Sequence, residues 1–68
     1  MKVRYDKRAD AAYIQFSSKK PDGAVEAAGG IIVHTTAKEE IVGIEILTAS
    51  KRLPVRNLFK FEASASVR

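Results

Sequence analysis

The chain has 68 residues, a formal net charge of +4, a pI near 9.7, no cysteine and one histidine. That length supports one small domain. The cysteine count excludes a disulfide framework and thiolate chemistry, and a lone His34 excludes the common zinc constellations.

Lys2–Asp6 alternates, with Val3 and Tyr5 on one face and Lys2, Arg4 and Asp6 on the other, the pattern of a half-buried or edge strand. A polar connection follows, in which Asp6 and Asp10 are expected to cap backbone N–H groups. Ala11–Ser17 reads as a second strand forming an antiparallel hairpin with the first. Pro21-Asp22-Gly23 then marks a turn, because proline presets φ and glycine tolerates positive φ. Ala24–Ala28 reads equally as a short edge strand or part of a long loop, and Gly29-Gly30 as a turn or bulge. Ile31–Thr36 is the third main strand. Ala37–Glu40 forms a turn lacking glycine, asparagine and aspartate, which favours a longer loop built on a type I turn.

Ile41–Ser50 is the longest β-favourable run and the expected central strand. Val42, Ile44 and Ile46 share one apolar face; Ile41, Gly43, Glu45 and Leu47 share a mixed one. Pro54 is expected at the first position of a short helix, with Val55, Leu58 and Phe59 at i, i+3, i+4 spacing. The expected fold class is therefore α+β: a mostly antiparallel, hairpin-rich sheet of four to five strands with one short C-terminal helix. Residues 1–62 form the expected single compact domain and 63–68 a frayed tail. The expected inward set is Val3, Tyr5, Ile14, Phe16, Val33, Val42, Ile44, Ile46, Val55, Leu58 and Phe59.

Two segments carry a family resemblance. Asp6 through Ile14 spells D-x-x-A-D-A-x-Y-I. Downstream come Gly30-Ile31-Ile32, Val42–Leu47 and Ala49–Leu53. Together they resemble domain of unknown function 2283, a family of small bacterial and archaeal proteins, over residues 2 to 53. The resemblance implies a β-hairpin-rich domain with a C-terminal helical piece and no established activity. For some members it implies a small toxin-like partner encoded alongside, hence an antitoxin-like role. The sequence departs from the family pattern twice. Glu39 stands where the family tends to have glycine in an acidic turn, and His34 where an acidic residue is frequent. The change at His34 removes acidity and weighs against charge mimicry toward a basic partner.

Candidate chemistry is sparse. Asp6, Asp10 and Glu45 are the carboxylates available for acid–base or hard-metal work, but their spacing matches no metal loop. Turn capping is expected for the aspartates, and a cross-strand ion pair, with Arg4, for Glu45. His34 has no cysteine partner, and the serine-rich stretches lie in a loop and the tail, so no triad is expected. Gly29-Gly30 lacks the G-x-x-x-x-G-K pattern of a phosphate loop. The basic residues cluster at Lys2, Arg4, Lys7 and Arg8, at Lys19 and Lys20, and around Lys51, Arg52, Arg56 and Lys60; on one side they would make a phosphate-binding surface.

The expectation is thus a non-enzymatic protein-interaction module without cofactor, catalytic residue or metal, with a basic nucleic-acid-binding module as the alternative. The candidate interaction surface comprises Ile41, Leu47, Leu58, Phe59, Arg4, Arg8, Lys51 and Arg52. A domain this small buries only roughly 60% of its unfolded surface, and without disulfide or metal the remaining staple is a homo-oligomer, most simply a dimer. No run reaches the roughly 18 apolar residues of a membrane span. Met1–Asp6 lacks the apolar region of a signal peptide, so a cytoplasmic location is expected.

Overall fold

The structure, a computed structural model, describes residues 1–60. The alternating segments become β1 Lys2–Asp6, β2 Ala11–Gln15, β3 Gly23–Ala28, β4 Ile31–Thr35 and β5 Ile41–Leu47. All neighbours pair antiparallel in the order β1-β2-β5-β4-β3. The most β-favourable run is therefore the centre of the sheet, with one hairpin on either side. The ambiguous segment after Pro21 is an edge strand, exposed along its whole length.

The turns follow local chemistry. In the first, Asp6 Oδ1 accepts from Arg8 N at 2.9 Å and Ala9 N at 3.2 Å. Gly29 and Gly30 join β3 to β4, with Gly30 at φ 82°, where a Cβ would be strained. In the β4–β5 loop Glu39 N donates to Thr36 O at 3.0 Å and Thr36 N to Glu40 O at 2.9 Å. Glu39 then takes φ 65°. A β-turn followed by a left-handed residue is one of the longer hairpin loops, as the missing glycine and asparagine imply.

The expected C-terminal helix does not form. Among the described residues the fold is mostly β rather than α+β. After β5 the chain makes two 3-10 turns, Ala49–Lys51 and Val55–Asn57. Thr48 swings left-handed at φ 53° and breaks the strand direction. Pro54 precedes the second turn at ψ 95°, an extended value, instead of occupying a first helical position. A single turn's worth of chain cannot offset the cost of helix nucleation, and Val55 and Asn57 are weak helix formers. Without a sustained helix the i, i+4 stripe dissolves: Val55 and Leu58 are half-buried, but Phe59 is 62% exposed. Phe16, just beyond the end of β2, is 49% exposed, so neither phenylalanine of the expected inward set is inside. The expected tail, 63–68, lies outside the described residues.

The sheet is a single layer. Among the described residues the buried hydrophobic ones are Ala12, Val42 and Ala49, and no large side chain is fully buried. No helix among the described residues is long and apolar enough to cross a membrane.

Candidate functional site

The register sorts the side chains into two unlike faces. Val3 pairs with Ile14, Ile14 with Ile44, Ile44 with Val33, and Val33 with Val25. Directly opposed residues share a face, so five aliphatic side chains form one row across all five strands. A second row on the same face runs Tyr5, Ala12, Ile46, Ile31 and Ala28. Six of the expected inward residues, Val3, Tyr5, Ile14, Val33, Ile44 and Ile46, thus lie side by side. All six are only half-buried, and Val25 is 63% exposed.

The opposite face is polar. Arg4 pairs with Tyr13 and Tyr13 with Glu45, which places the phenol ring between the two charges. The Arg4 guanidinium lies 5.6 Å from the Tyr13 ring centroid. His34 meets the same ring edge-on, centroids 5.6 Å apart, and its Nε2 lies 3.3 Å from Glu45 Oε1. Glu45 is therefore partnered by His34 in place of the expected Arg4. A shallow cavity of about 730 Å³ above this face is lined by Arg4, Tyr13, Lys19, Lys20, His34 and Glu45 among others. Lys19 is engaged at the rim by Glu40 at 2.8 Å, which holds the Glu40 carboxyl below the ordinary glutamate range.

At one end of the sheet Asp10 collects three donors. Tyr5 Oη donates to Oδ1 at 2.7 Å, Ser50 N to Oδ1 at 3.0 Å and Ser50 Oγ to Oδ2 at 2.7 Å. These bonds, led by Ser50, hold the Asp10 carboxyl below the usual aspartate value; the bond to Asp10 pushes the Tyr5 phenol up. A serine and a tyrosine bonded to one carboxylate resemble a relay, but both donors are spent on Asp10, and no imidazole takes part. The cluster ties the first turn to the exit of β5. Among the described residues no group of three or more His, Cys, Asp or Glu side chains is arranged to hold a metal ion.

The residues of the expected interaction surface do not form one patch. Ile41 (52% exposed) and Leu47 (37%) stand at opposite ends of β5, about 20 Å apart along an extended strand. Arg4 rests on Tyr13, and Arg8 is part of the turn closed by Asp6. Lys51 helps lower the Asp10 carboxyl, and Arg52 donates from Nη2 to Gly29 O, fastening the β3–β4 turn. Leu58 and Phe59 lie at and beyond the end of the second 3-10 turn. The contiguous apolar surface is instead the Val3–Val25 row and its neighbour. Val25 and Ile31 were missed as members. Their signal is the register, since Val25 joins the row only once β3 is known to pair with β4.

The family model described as "Protein of unknown function (DUF2283)" matches residues 2–50, from the start of β1 to the serine that closes on Asp10. No curated protein and no solved structure matches the chain. With the whole sheet inside the match, the chain belongs to the DUF2283 family of proteins of unknown function.

Proposed function

We propose that the chain is a non-enzymatic protein-interaction module that works through the apolar face of its sheet. The observation that carries this reading is the Val3–Ile14–Ile44–Val33–Val25 row, which crosses every strand while none of its members is buried. Monomeric proteins rarely leave a contiguous apolar patch of several hundred Å² uncovered. A cytoplasmic setting accords with a cysteine-free chain. The antitoxin-like role implied by the family resemblance is a narrower form of this proposal, in which a small second protein occupies the face.

The test compares the wild type with Ile44→Lys. The wild type either assembles or, as a free chain, binds an apolar dye, and Ile44→Lys abolishes whichever is seen. A wild type that does neither sinks the reading.

A basic nucleic-acid-binding module is the second reading. Its support is that Arg4, Lys19 and Lys20 line one cavity on the polar face. Against it, Asp6 and Glu45 line the same cavity, Lys19 is paired with Glu40, and Tyr13 is flanked by Arg4 and His34 instead of standing clear to stack on a base. Retention of mixed DNA and RNA at low salt, lost in Lys20→Glu, would turn the choice toward this reading.

A further inference from the structure

The apolar face leaves its occupant unnamed; building on the interaction-module reading, we propose that the occupant is a second copy of this chain, laid face to face so that two sheets form a sandwich. Four observations favour a copy over an unrelated protein.

The first is need. The chain has no cysteine, and among the described residues no large side chain is fully buried. Among those residues, one face of the sheet therefore lacks a covering layer. A covering that is always required is supplied most directly by the chain itself, present at equal concentration.

The second is symmetry. From β1 to β3 the row reads Val, Ile, Ile, Val, Val, with Ile44 of the central strand in the middle. A two-fold axis in the plane of contact over Ile44, along or across the strands, sets aliphatic against aliphatic and Ile44 against its own copy. That is the self-complementary patch an isologous dimer requires.

The third is charge. The rows on this face carry no ammonium, guanidinium or carboxylate, while Arg4, His34 and Glu45 occupy the other face. An oppositely charged partner has nothing here to select.

The fourth is area. Five strands about 4.8 Å apart and about five residues long give a face of roughly 24 by 17 Å. With side-chain relief, and Val25 projecting at one margin, it reaches the size of a small standard interface, on the order of 600–800 Å² per partner. Aligned sheets in such a sandwich sit about 10 Å apart.

Sedimentation velocity across the micromolar range, with thermal melts at the same concentrations, tests the proposal. The wild type is expected at twice its chain mass of 7.5 kDa, with a melting temperature that rises with concentration. Ile44→Lys sets like charges against each other at the centre and is expected to be monomeric or unfolded. Val25→Lys and Ala24→Lys form a control pair on exposed β3, neighbours on opposite faces, and both keep the fold because both positions are exposed. Val25→Lys is expected to weaken association by at least about tenfold, and Ala24→Lys to leave it unchanged. A wild type that stays a folded monomer overturns the second copy. If that monomer binds an apolar dye and Ile44→Lys does not, the interaction-surface reading survives; if neither binds, both readings fall. A dimer that neither Ile44→Lys nor Val25→Lys disturbs also overturns the proposal, because its interface lies elsewhere.

Discussion

Ser50 donates twice to Asp10, from Oγ at 2.7 Å and from its backbone N at 3.0 Å, across a separation of 40 residues. Ala49 N adds a third link, to the Asp10 carbonyl at 2.8 Å. Asp10 meets these donors from a left-handed conformation, φ 50°, which aspartate tolerates better than most residues. The first turn is thereby latched to the segment that leaves the central strand. Ser50→Ala and Asp10→Asn are each expected to lower the melting temperature. Because both alter the same Ser50–Asp10 contact, the double variant should lose less than the two single losses added together. Strict additivity in urea melts would show that the latch carries no coupling.

The same cluster predicts two pH arms. Hydrogen bonds from Ser50 and then Tyr5 depress the folded Asp10 pKa. A depressed carboxyl contributes stability above its unfolded value, about pH 4, and that contribution disappears as pH falls through the lower folded value. Tyr5 has the opposite sign: its bond to Asp10 raises the folded pKa. Its contribution is complete below about pH 10 and is lost as pH rises through the higher folded value. Urea midpoints against pH should show both arms. Asp10→Asn should flatten the acid arm and Tyr5→Phe the alkaline one. An acid arm unchanged in Asp10→Asn would assign it to other carboxylates.

What could be read from the sequence divides along local and non-local lines. Strand positions were legible because Val3 and Tyr5, or Val42, Ile44 and Ile46, repeat at every second residue. Capping by Asp6 was legible because its acceptors' partners, Arg8 and Ala9, are neighbours in the chain. Asp10 looked like a second turn cap, but its decisive partner is 40 residues away and depends on where β5 ends. Glu45 and Arg4 were a reasonable ion pair until the register set Tyr13 between them and His34 beside Glu45. The helical spacing of Val55, Leu58 and Phe59 was real as a pattern, but the segment is too short for that pattern to decide its conformation.

Glu39 holds φ 65° in the β4–β5 loop without the freedom of glycine, the residue that the family resemblance leads one to expect there. A side chain in the left-handed region costs on the order of 1 kcal/mol. Glu39 is exposed, so its side chain supplies little in return. Glu39→Gly is therefore expected to stabilise the protein by up to about 0.5 kcal/mol, once the added unfolded-state entropy of about 0.4–1 kcal/mol is subtracted. That corresponds to a rise of up to about 2–4 °C in a domain of this size. Thr48, at φ 53°, is β-branched and should gain by the same route on Thr48→Asn. A fall in the denaturation midpoint of Glu39→Gly would mean that the loop does not hold this conformation in solution.

Gly43, at the middle of the central strand, is required by Tyr13. A Cβ on Gly43 would overlap the Tyr13 hydroxyl and stand 2.9 Å from Ile14 O, while the ring covers the bare backbone that glycine leaves. Gly43→Ala must push the ring aside or bend the strand, at a cost of roughly 1–3 kcal/mol. Because Tyr13 also touches Arg4 and His34, displacing it loosens the whole polar face. The conflict has two sources, and a double variant separates them. In a Tyr13→Ala background most of the Gly43→Ala penalty should vanish, and what remains is the close approach to the Ile14 carbonyl. Chemical denaturation of the four proteins gives the coupling directly. If Gly43→Ala costs as much without the ring as with it, the glycine is required by the backbone of β2 and not by Tyr13.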